Sequence, residues 1–547
     1  MGMYLNPGYD RYEIAMNSEI FVDKTEMIAF TNSLVNTNQR YLSVSRPRRF
    51  GKSMATDMLC AYYGRDDSRE LFEKTRLSKL DGWDGHLNRF DVIRVIMTDF
   101  FKPETEVGSS LDRLKKLILR DIKTEYPNVD FFDPDDLVMS LSDVYYNTKR
   151  KFVIIIDEWD CVFRVRKNDK EGHKQYLDFL RDWLKDREYA ALAYMTGILP
   201  IKKYGIHSAL NMFDEFSMLS PMQLAKFTGF TTEEVTDLCY KYGRSFEDIK
   251  EWYDGYIVSD IIPPDPGYVK QNANEAPLAK RYQLYSPLSV VKAMITGHIQ
   301  NYWNRTETYS ALADYIDMNI DGLKDSIVFM IEGGRVRIDT STYQNDMTTF
   351  NGRDDVLTLL VHLGYLGYDD QRKEVFIPNR EILDEFKAST KTADWSPVFR
   401  SLKISNELIE ATWACNEQRV AELLEKAHDR AENTTYNSEN ALSYAIQLAY
   451  YAAQRYYTTI QELDTGKGYA DIVYLPSPKY PDKPALLVEL KYNKSVKTAL
   501  DQIRARNYPQ VLEHYKGNIL LVCINYDKDI PSDEPDYKHH TCSIEKA

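Results

Sequence analysis

Two groups of residues in this sequence have the types and spacing for phosphate chemistry. The first begins at Arg46-Pro47-Arg48-Arg49-Phe50-Gly51-Lys52-Ser53, which follows an apolar stretch and opens a helical one. That is the context of a P-loop, where backbone N–H groups at a helix start cradle phosphates. In it, Gly51 lets the backbone approach closely, Lys52 reaches the β- and γ-phosphates, and the Ser53 hydroxyl ligates Mg²⁺. The usual pattern has a glycine where Arg46 stands, and Pro47 removes one N–H. A Gly-Lys-Ser in a basic turn does not carry a nucleotide reading alone. The second half of the group does more. Phe152–Ile156 is an apolar run that ends in Asp157-Glu158. A buried strand delivering an acid pair to its end is a Walker B arrangement, with Asp157 holding Mg²⁺ and Glu158 polarising the attacking water. The two motifs stand in the right order, about a hundred residues apart, and together imply a bound nucleotide, ATP with Mg²⁺. Hydrolysis also asks for positive charge at the γ-phosphate, which Arg46, Arg48 and Arg49 could supply. Thr196, closing the stretch Ala191–Thr196, stands where a polar γ-phosphate sensor belongs, or is an ordinary strand end.

The second group is Asp471, Glu489 and Lys491. Residues two apart on a strand share a face, so Glu489 and Lys491 point into one site and Leu490 points away. Asp471, on a neighbouring strand, can join them. Two carboxylates and a backbone carbonyl suit Mg²⁺, a hard cation. Such a metal polarises a phosphodiester and activates water, while the lysine stabilises developing negative charge. Glu439, at the start of the preceding helix, could add a carboxylate to the metal. Gln502 and Tyr508 could touch the substrate backbone. The plainer alternative is a solvated salt bridge on a strand edge.

The elements that must hold these residues follow from the apolar pattern. Arg40–Ser45, Val92–Met97, Phe152–Ile156 and Ala191–Thr196 read as strands, with Ser53–Tyr63 a helix among them. Strands interleaved with helices imply a parallel sheet. From Met222 to about Gly322 the pattern reads as helical, with a helix start at Thr232-Glu233-Glu234-Val235 and a loop at Pro263–Gly267. A helix over Asp354–Leu363, then short strands at Gly364–Tyr368 and Glu374–Pro378, suggest a winged-helix unit. Amphipathic helices fill Ile404–Ala431, and Glu432–Asn437 reads as a linker. The last part is α/β: helices at Asn440–Tyr456 and Val496–Arg506, strands at Tyr457–Leu463, Ala470–Leu475, Ala485–Leu490 and Ile519–Ile524.

Composition bounds the rest. At 547 residues the chain has room for roughly three to four domains. Hydrophobic residues at 43% and charged residues at 28% are ordinary for a globular protein. The net charge of −14 argues against general nucleic-acid binding but leaves room for a local basic patch. Six cysteines without a CxxC pair point away from zinc and disulfides and toward a reducing, cytoplasmic setting. No apolar run is long enough for a membrane span, and the N-terminus has no apolar signal core. The oligomeric state stays open.

Taken along the chain, these segments resemble the bacterial AAA-ATPase-like proteins that carry a C-terminal PD-(D/E)XK nuclease-superfamily domain. The resemblance rests on Phe21-Val22-Asp23-Lys24-Thr25, the Ser45–Ser53 loop, Ile156-Asp157-Glu158-Trp159-Asp160, Thr196-Gly197, Tyr253-Asp254-Gly255-Tyr256, Tyr285-Ser286-Pro287-Leu288-Ser289, Gly364-Tyr365-Leu366, Ile377-Pro378-Asn379 and the Asp471/Glu489/Lys491 set. The RPRRFGKS loop is itself a mark of that family. Trp159 departs from an expected tyrosine, and the YSPLS segment has serine where asparagine is frequent. The resemblance implies ATP binding by Lys52, Ser53 and Asp157. It implies an α/β protein in four parts: an AAA-like P-loop domain with a parallel sheet over 1–218, a helical lid over 219–345, a winged-helix-like and helical linker region over 346–432, and a restriction-endonuclease-like domain over 433–547. The functional expectation is an ATPase module that regulates a Mg²⁺-dependent nuclease-like domain acting on DNA or RNA. The alternatives are a nucleotide-switched binding protein with an inert nuclease fold, and a plain ATPase with a scaffold tail.

Overall fold

A computed structural model describes residues 2–201, 210–261, 279–303, 312, 315–316, 320–331, 333–392, 396–428, 446, 449–450, 453, 456–464, 469–477, 480–493, 515, 517–527 and 539–547, with backbone alone at 261, 279, 390–392, 396–403, 427–428, 459–464, 469–471 and 492. The chain divides into two compact units, Met1–Leu323 with Arg335–Ser389, and Lys324–Gly334 with Thr390–Ala547.

The first unit is built on five parallel strands: β1 (Tyr41–Ser45), β2 (Asp91–Ile96), β3 (Phe152–Asp157), β4 (Ala190–Gly197) and β5 (Asp214–Phe216). Their order in the sheet is β2-β3-β4-β1-β5. Helices cover both faces, so β3 and β4 are buried along their whole length. This explains why they read as unbroken apolar runs rather than as alternating ones. The two faces still separate by period two: Ile154 and Ile156 join one core with Leu114, Ile118 and Trp183. Val153 and Ile155 join the other, with Met58, Leu59 and Tyr62. The expected strands are present; β5 escaped notice because it is three residues long and begins Asp214-Glu215. Parallel strands bring all their C-terminal ends to one edge, where ligands of open α/β sheets bind.

The region after Met222 corrects the expectation of a continuous helical stretch. Helices do form at Thr232–Tyr242, Phe246–Tyr253 and Pro287–Thr296. Between them runs an antiparallel sheet of β6 (Phe230–Thr231), β7 (Tyr256–Ile261) and β8 (Ala279–Tyr285), in the order β6-β8-β7. Over Lys280–Leu284, β8 places Tyr282 and Leu284 two apart between polar residues, a strand period too short to stand out among helices. The first of these helices is capped by Thr231, one residue earlier than read, through a reciprocal capping box with Glu234. The loop Pro263–Gly267 lies outside the described residues.

Farther on, β9 (Val336–Arg337), β10 (Gly367–Asp369) and β11 (Glu374–Phe376) make an antiparallel ribbon in the order β10-β11-β9. The helix Arg353–Leu363 precedes its last two strands and the helix Arg380–Thr392 follows. Gly364, at φ +88°, ends the first helix, so the ribbon starts at Gly367 rather than at Gly364.

The second unit holds the helices Ser396–Trp413 and Glu417–His428 and a five-stranded sheet. Its strands are β12 (Tyr457–Asp464), β13 (Tyr469–Pro476), β14 (Ala485–Tyr492), β15 (Ile519–Tyr526) and β16 (His540–Lys546), in that order. Only the β14–β15 pairing is parallel. Leu486, Val488, Leu490, Val522 and Ile524 pack with Leu408 and Leu424 in its core. The expected linker Glu432–Asn437 and helix Val496–Arg506 lie outside the described residues, as does most of Asn440–Tyr456. Among the described residues, no helix is long and apolar enough to cross a membrane.

Candidate functional site

The phosphate loop leaves β1 at Ser45 and enters the helix Lys52–Tyr63. Two of its residues, Arg49 at φ +69° and Gly51 at φ +86°, are left-handed. At Gly51 a side chain would meet nothing within 4 Å, so glycine is required there by backbone conformation, and the space beside it is open for a phosphate. Ser53 is exposed in the first turn of the helix. Lys52 is buried; its Nζ donates to the carbonyls of Arg46 at 3.0 Å and Pro47 at 2.9 Å. Burial pushes the Lys52 ammonium down to about 8, against the pull of Asp160, Asp157 and Glu158 and with the push of Arg164. The lysine thus shares one field with the acids that end β3.

Those acids are held from two strands. Asp157 Oδ1 accepts from the Thr196 hydroxyl on β4 and from the Glu158 N–H at 3.0 Å. Glu158 is itself left-handed at φ +52°, a conformation that costs a non-glycine residue roughly 1–3 kcal/mol. The next residue pins it: Trp159 N donates to Thr196 O at 2.9 Å, and Trp159 O accepts from the Tyr176 hydroxyl at 2.6 Å. A side chain at Gly197 would come within 2.7 Å of the Trp159 indole, so the Thr196-Gly197 glycine makes room for the tryptophan. Lys52, Asp157, Glu158 and Thr196 therefore converge. Hard oxygens from Ser53 and Asp157 suit Mg²⁺, and the open turn at Gly51 suits a phosphate.

The irregular residues of the loop turn elsewhere. Arg46 was expected beside the phosphates; instead it is fully buried and points away. Its guanidinium donates to Thr228 Oγ1 (2.7 Å), Ser45 O (2.8 Å), Phe216 O (2.8 Å) and Leu224 O (3.4 Å). Burial pushes this guanidinium down to about 10. Phe50, a further nucleotide-contact candidate of the loop, turns its ring inward. Its ring is buried edge-on against Tyr256, 5.1 Å between centroids, and its carbonyl accepts from Gly229 N. Arg49 donates to Tyr302 O at 3.0 Å. Arg48 is half-buried and makes no hydrogen bond or ion pair among the described residues.

Sequence reasoning missed what lies behind the loop. The segments that phosphate chemistry left without a task meet there. Asn379 donates to Asp254 O (2.7 Å), Ser286 N to Tyr253 O (3.3 Å) and the Tyr256 hydroxyl to Gly364 O (2.7 Å). A side chain on Gly364 would lie 2.7 Å from Pro47, so proline and glycine pack face to face. Glu381 is buried and accepts from Tyr302 N (2.7 Å), Trp303 N (3.0 Å) and Ser289 Oγ (2.9 Å). Burial lifts its carboxyl to about 7. No spacing rule marks such residues. Arg164 and Asp160, beside Glu158, were missed for the same reason.

In the second unit, Glu489 and Lys491 lie on one face of β14, as the spacing implied. Lys491 Nζ reaches Glu489 Oε1 at 2.7 Å, and both residues are buried, which removes the reading of a solvated surface pair. The antiparallel register pairs Ile472 with Val488. Position 471 and position 489 are the chain neighbours of that pair. Glu439, Gln502 and Tyr508 lie outside the described residues, and of Asp471 only the backbone is described.

Comparison with known proteins fits this division. Residues 9–207 match the family described as predicted AAA-ATPase, and residues 439–531 match the PD-(D/E)XK nuclease superfamily. An uncharacterized protein in the vnfD 5′ region of Azotobacter chroococcum mcd 1 is 25% identical over 307 residues. That match covers 54% of this chain and 52% of the relative, so the chain spans about half the length of the curated relative it matches. Among solved structures, the Aeropyrum pernix ORC2 protein (ADPNP-ADP complexes) aligns at TM-score 0.28 and 11% identity, covering 69% of this chain and 98% of that one. CDC6P from Pyrobaculum aerophilum aligns at TM-score 0.25 and 11% identity, covering 68% and 93%. The resemblance read from the sequence holds: an AAA-ATPase-like module and a PD-(D/E)XK nuclease fold share one chain.

Proposed function

We propose that this chain binds and hydrolyses ATP and that its AAA-like module regulates a Mg²⁺-dependent nuclease activity of the C-terminal domain on DNA or RNA. The observation that carries the nucleotide half is the convergence of buried Lys52 with Asp157, Glu158 and Thr196 at the C-terminal edge of a parallel sheet. Lys52 exchanges its two carbonyl partners for phosphate oxygens. The amides at the start of Lys52–Tyr63 face the same anion, and Arg48 is the arginine of the loop still free to add charge. Ser53 and Asp157 would hold Mg²⁺, which would neutralise phosphate charge. Thr196 reads the γ-phosphate through its bond to Asp157, and Glu158 orients water.

In the nuclease half, Glu489 with Asp471 and Glu439 would hold Mg²⁺, and Lys491 would stabilise charge on the phosphodiester. Support for the pair comes from its burial: an ion pair of this kind costs desolvation and gains little stability, so a chemical task accounts for it better. We keep the four-part division 1–218, 219–345, 346–432 and 433–547 as the working map. A cytoplasmic setting suits the six free thiols.

The test is a cleavage assay on DNA and RNA, single- and double-stranded, with and without ATP and Mg²⁺ or Mn²⁺. Wild type is expected to cut in a metal-dependent way that ATP modulates. Glu489→Ala should lose at least about 100-fold of the cleavage, and Lys52→Ala should lose its ATP dependence. No metal-dependent cleavage on any substrate would leave a nucleotide-switched binding protein with an inert nuclease fold. Unchanged ATP-dependent cleavage by Lys52→Ala would end the gating idea.

A further inference from the structure

Glu158, the residue assigned to water, does not stand by itself. It is followed by the short helix Cys161–Val165, whose Arg164 turns back toward it. Arg164 Nη2 bonds Glu158 Oε2 at 2.7 Å, and Arg164 Nε lies 3.4 Å from Asp160 Oδ2. That same Asp160 oxygen accepts from Ile198 N at 3.1 Å and Leu199 N at 3.0 Å. Asp160 is fully buried, and Arg164 nearly so. The order of support is therefore fixed. Backbone just past β4 holds Asp160, Asp160 holds Arg164, and Arg164 holds one oxygen of Glu158. Glu158 is the most exposed of the three side chains, at 37%. Its other oxygen, Oε1, makes no hydrogen bond among the described residues.

We propose that Arg164 is a positioning residue for ATP hydrolysis: it fixes the Glu158 carboxylate through Oε2 and leaves Oε1 for the attacking water. The inference rests on the reading of Glu158 given above. Three features of the site support it. A planar guanidinium spans two carboxylates at once, which an ammonium on a flexible stem cannot do with the same geometry. The arginine half of the pair is sheltered and also faces buried Asp160, so it is more fixed than an exposed surface pair. Lys52 faces Asp157, Glu158 and Asp160, and Arg164 offsets one of those charges before a polyphosphate arrives. Arg164 touches neither the nucleotide nor the water in this scheme; it acts through Glu158.

The test compares full-length wild type, Arg164→Met, Arg164→Lys, Glu158→Gln and the double variant Arg164→Met with Glu158→Gln, measuring steady-state ATP hydrolysis and equilibrium ATP binding. A carboxylate set loose by about 1 Å loses up to about 100-fold in rate. Arg164→Met should therefore lower kcat by roughly 30- to 100-fold, with ATP KM and Kd changed less than about threefold. Arg164→Lys should recover part of that loss. In the Glu158→Gln background, Arg164→Met should add no further loss, which a merely structural role would not reproduce. If Arg164→Met does not fold, a wild-type kcat for Arg164→Lys overturns the proposal. Equal losses in both backgrounds, or an effect on ATP affinity alone, also overturn it while leaving Glu158 in place. Wild type that binds ATP without turning it over removes the hydrolysis reading, and this proposal with it.

Discussion

The nucleotide site and the Glu489–Lys491 pair solve the burial of charge in opposite ways. At the first, one lysine sits among three carboxylates and an arginine, and the groups come from β1, β3, β4 and the turns after them. At the second, the ion pair among the described residues is Lys491 with Glu489, two residues apart on a single strand. The first arrangement can exchange partners when a phosphate arrives, because Lys52 now holds only backbone carbonyls. At the second, a metal or phosphodiester must compete with the existing Lys491–Glu489 bond. An assembled charge network is poised to bind; at the second site an existing bond must yield first. Under the proposed function, binding at the first site and cleavage at the second are separable, and substitutions should separate them.

The largest expected effect is at Glu158. Glu158→Gln should lower ATP hydrolysis by about 10²–10⁴-fold, the usual range for losing a positioned base, with ATP affinity changed less than about threefold. ATP-independent cleavage by the second site should stay at the wild-type level. A hydrolysis rate that survives the substitution would mean that Glu158 belongs to the structure and not to the chemistry.

Arg46 comes next, because it separates loop architecture from phosphate contact. Arg46→Ala strands a threonine hydroxyl and several carbonyls in the core, at a cost of about 2–4 kcal/mol. Thermal unfolding should show the loss, while ATP affinity of the folded fraction holds. Weakened ATP binding with an unchanged Tm would instead return Arg46 to the phosphates.

Glu381 gives the smallest effect, and its contrast with Glu489 is instructive. Glu489 has a lysine; Glu381 accepts from two amides and a hydroxyl. Burial lifts Glu381 to about 7 from the ordinary 4.5, so its neutral form favours the fold. The associated stability is full below about 4.5 and is lost as pH rises through about 7. Wild-type Tm minus that of Glu381→Gln should therefore fall between pH 5 and pH 8, by the equivalent of at most about 3 kcal/mol. A flat difference across that range would show that the amides and hydroxyl already satisfy the ionised form.

What could be read from the sequence follows from how far apart the cooperating residues lie. Lys52 and Ser53 were legible because a P-loop is local, and Glu489 and Lys491 because period two is local. Asp157 was legible because five apolar residues deliver it to a sheet edge. Where the Arg46 and Phe50 side chains turn was not legible, because the motif fixes their place along the chain and not the direction of their side chains. Phe216, Leu224, Thr228 and Tyr256, which capture those side chains, are 170 or more residues away. The sheet β6-β8-β7 was hidden for a related reason: its strands pair across long connections and are interleaved with strong helices.

The central claim is that Lys52 and the β3 acids form one nucleotide site. It is tested most directly by calorimetric titration of the full-length protein with ATP and Mg²⁺, wild type against Lys52→Ala. Losing one charge-assisted contact to phosphate, worth about 1.5–3 kcal/mol, should weaken binding roughly 10- to 150-fold. An affinity for ATP in Lys52→Ala equal to that of wild type would contradict the account.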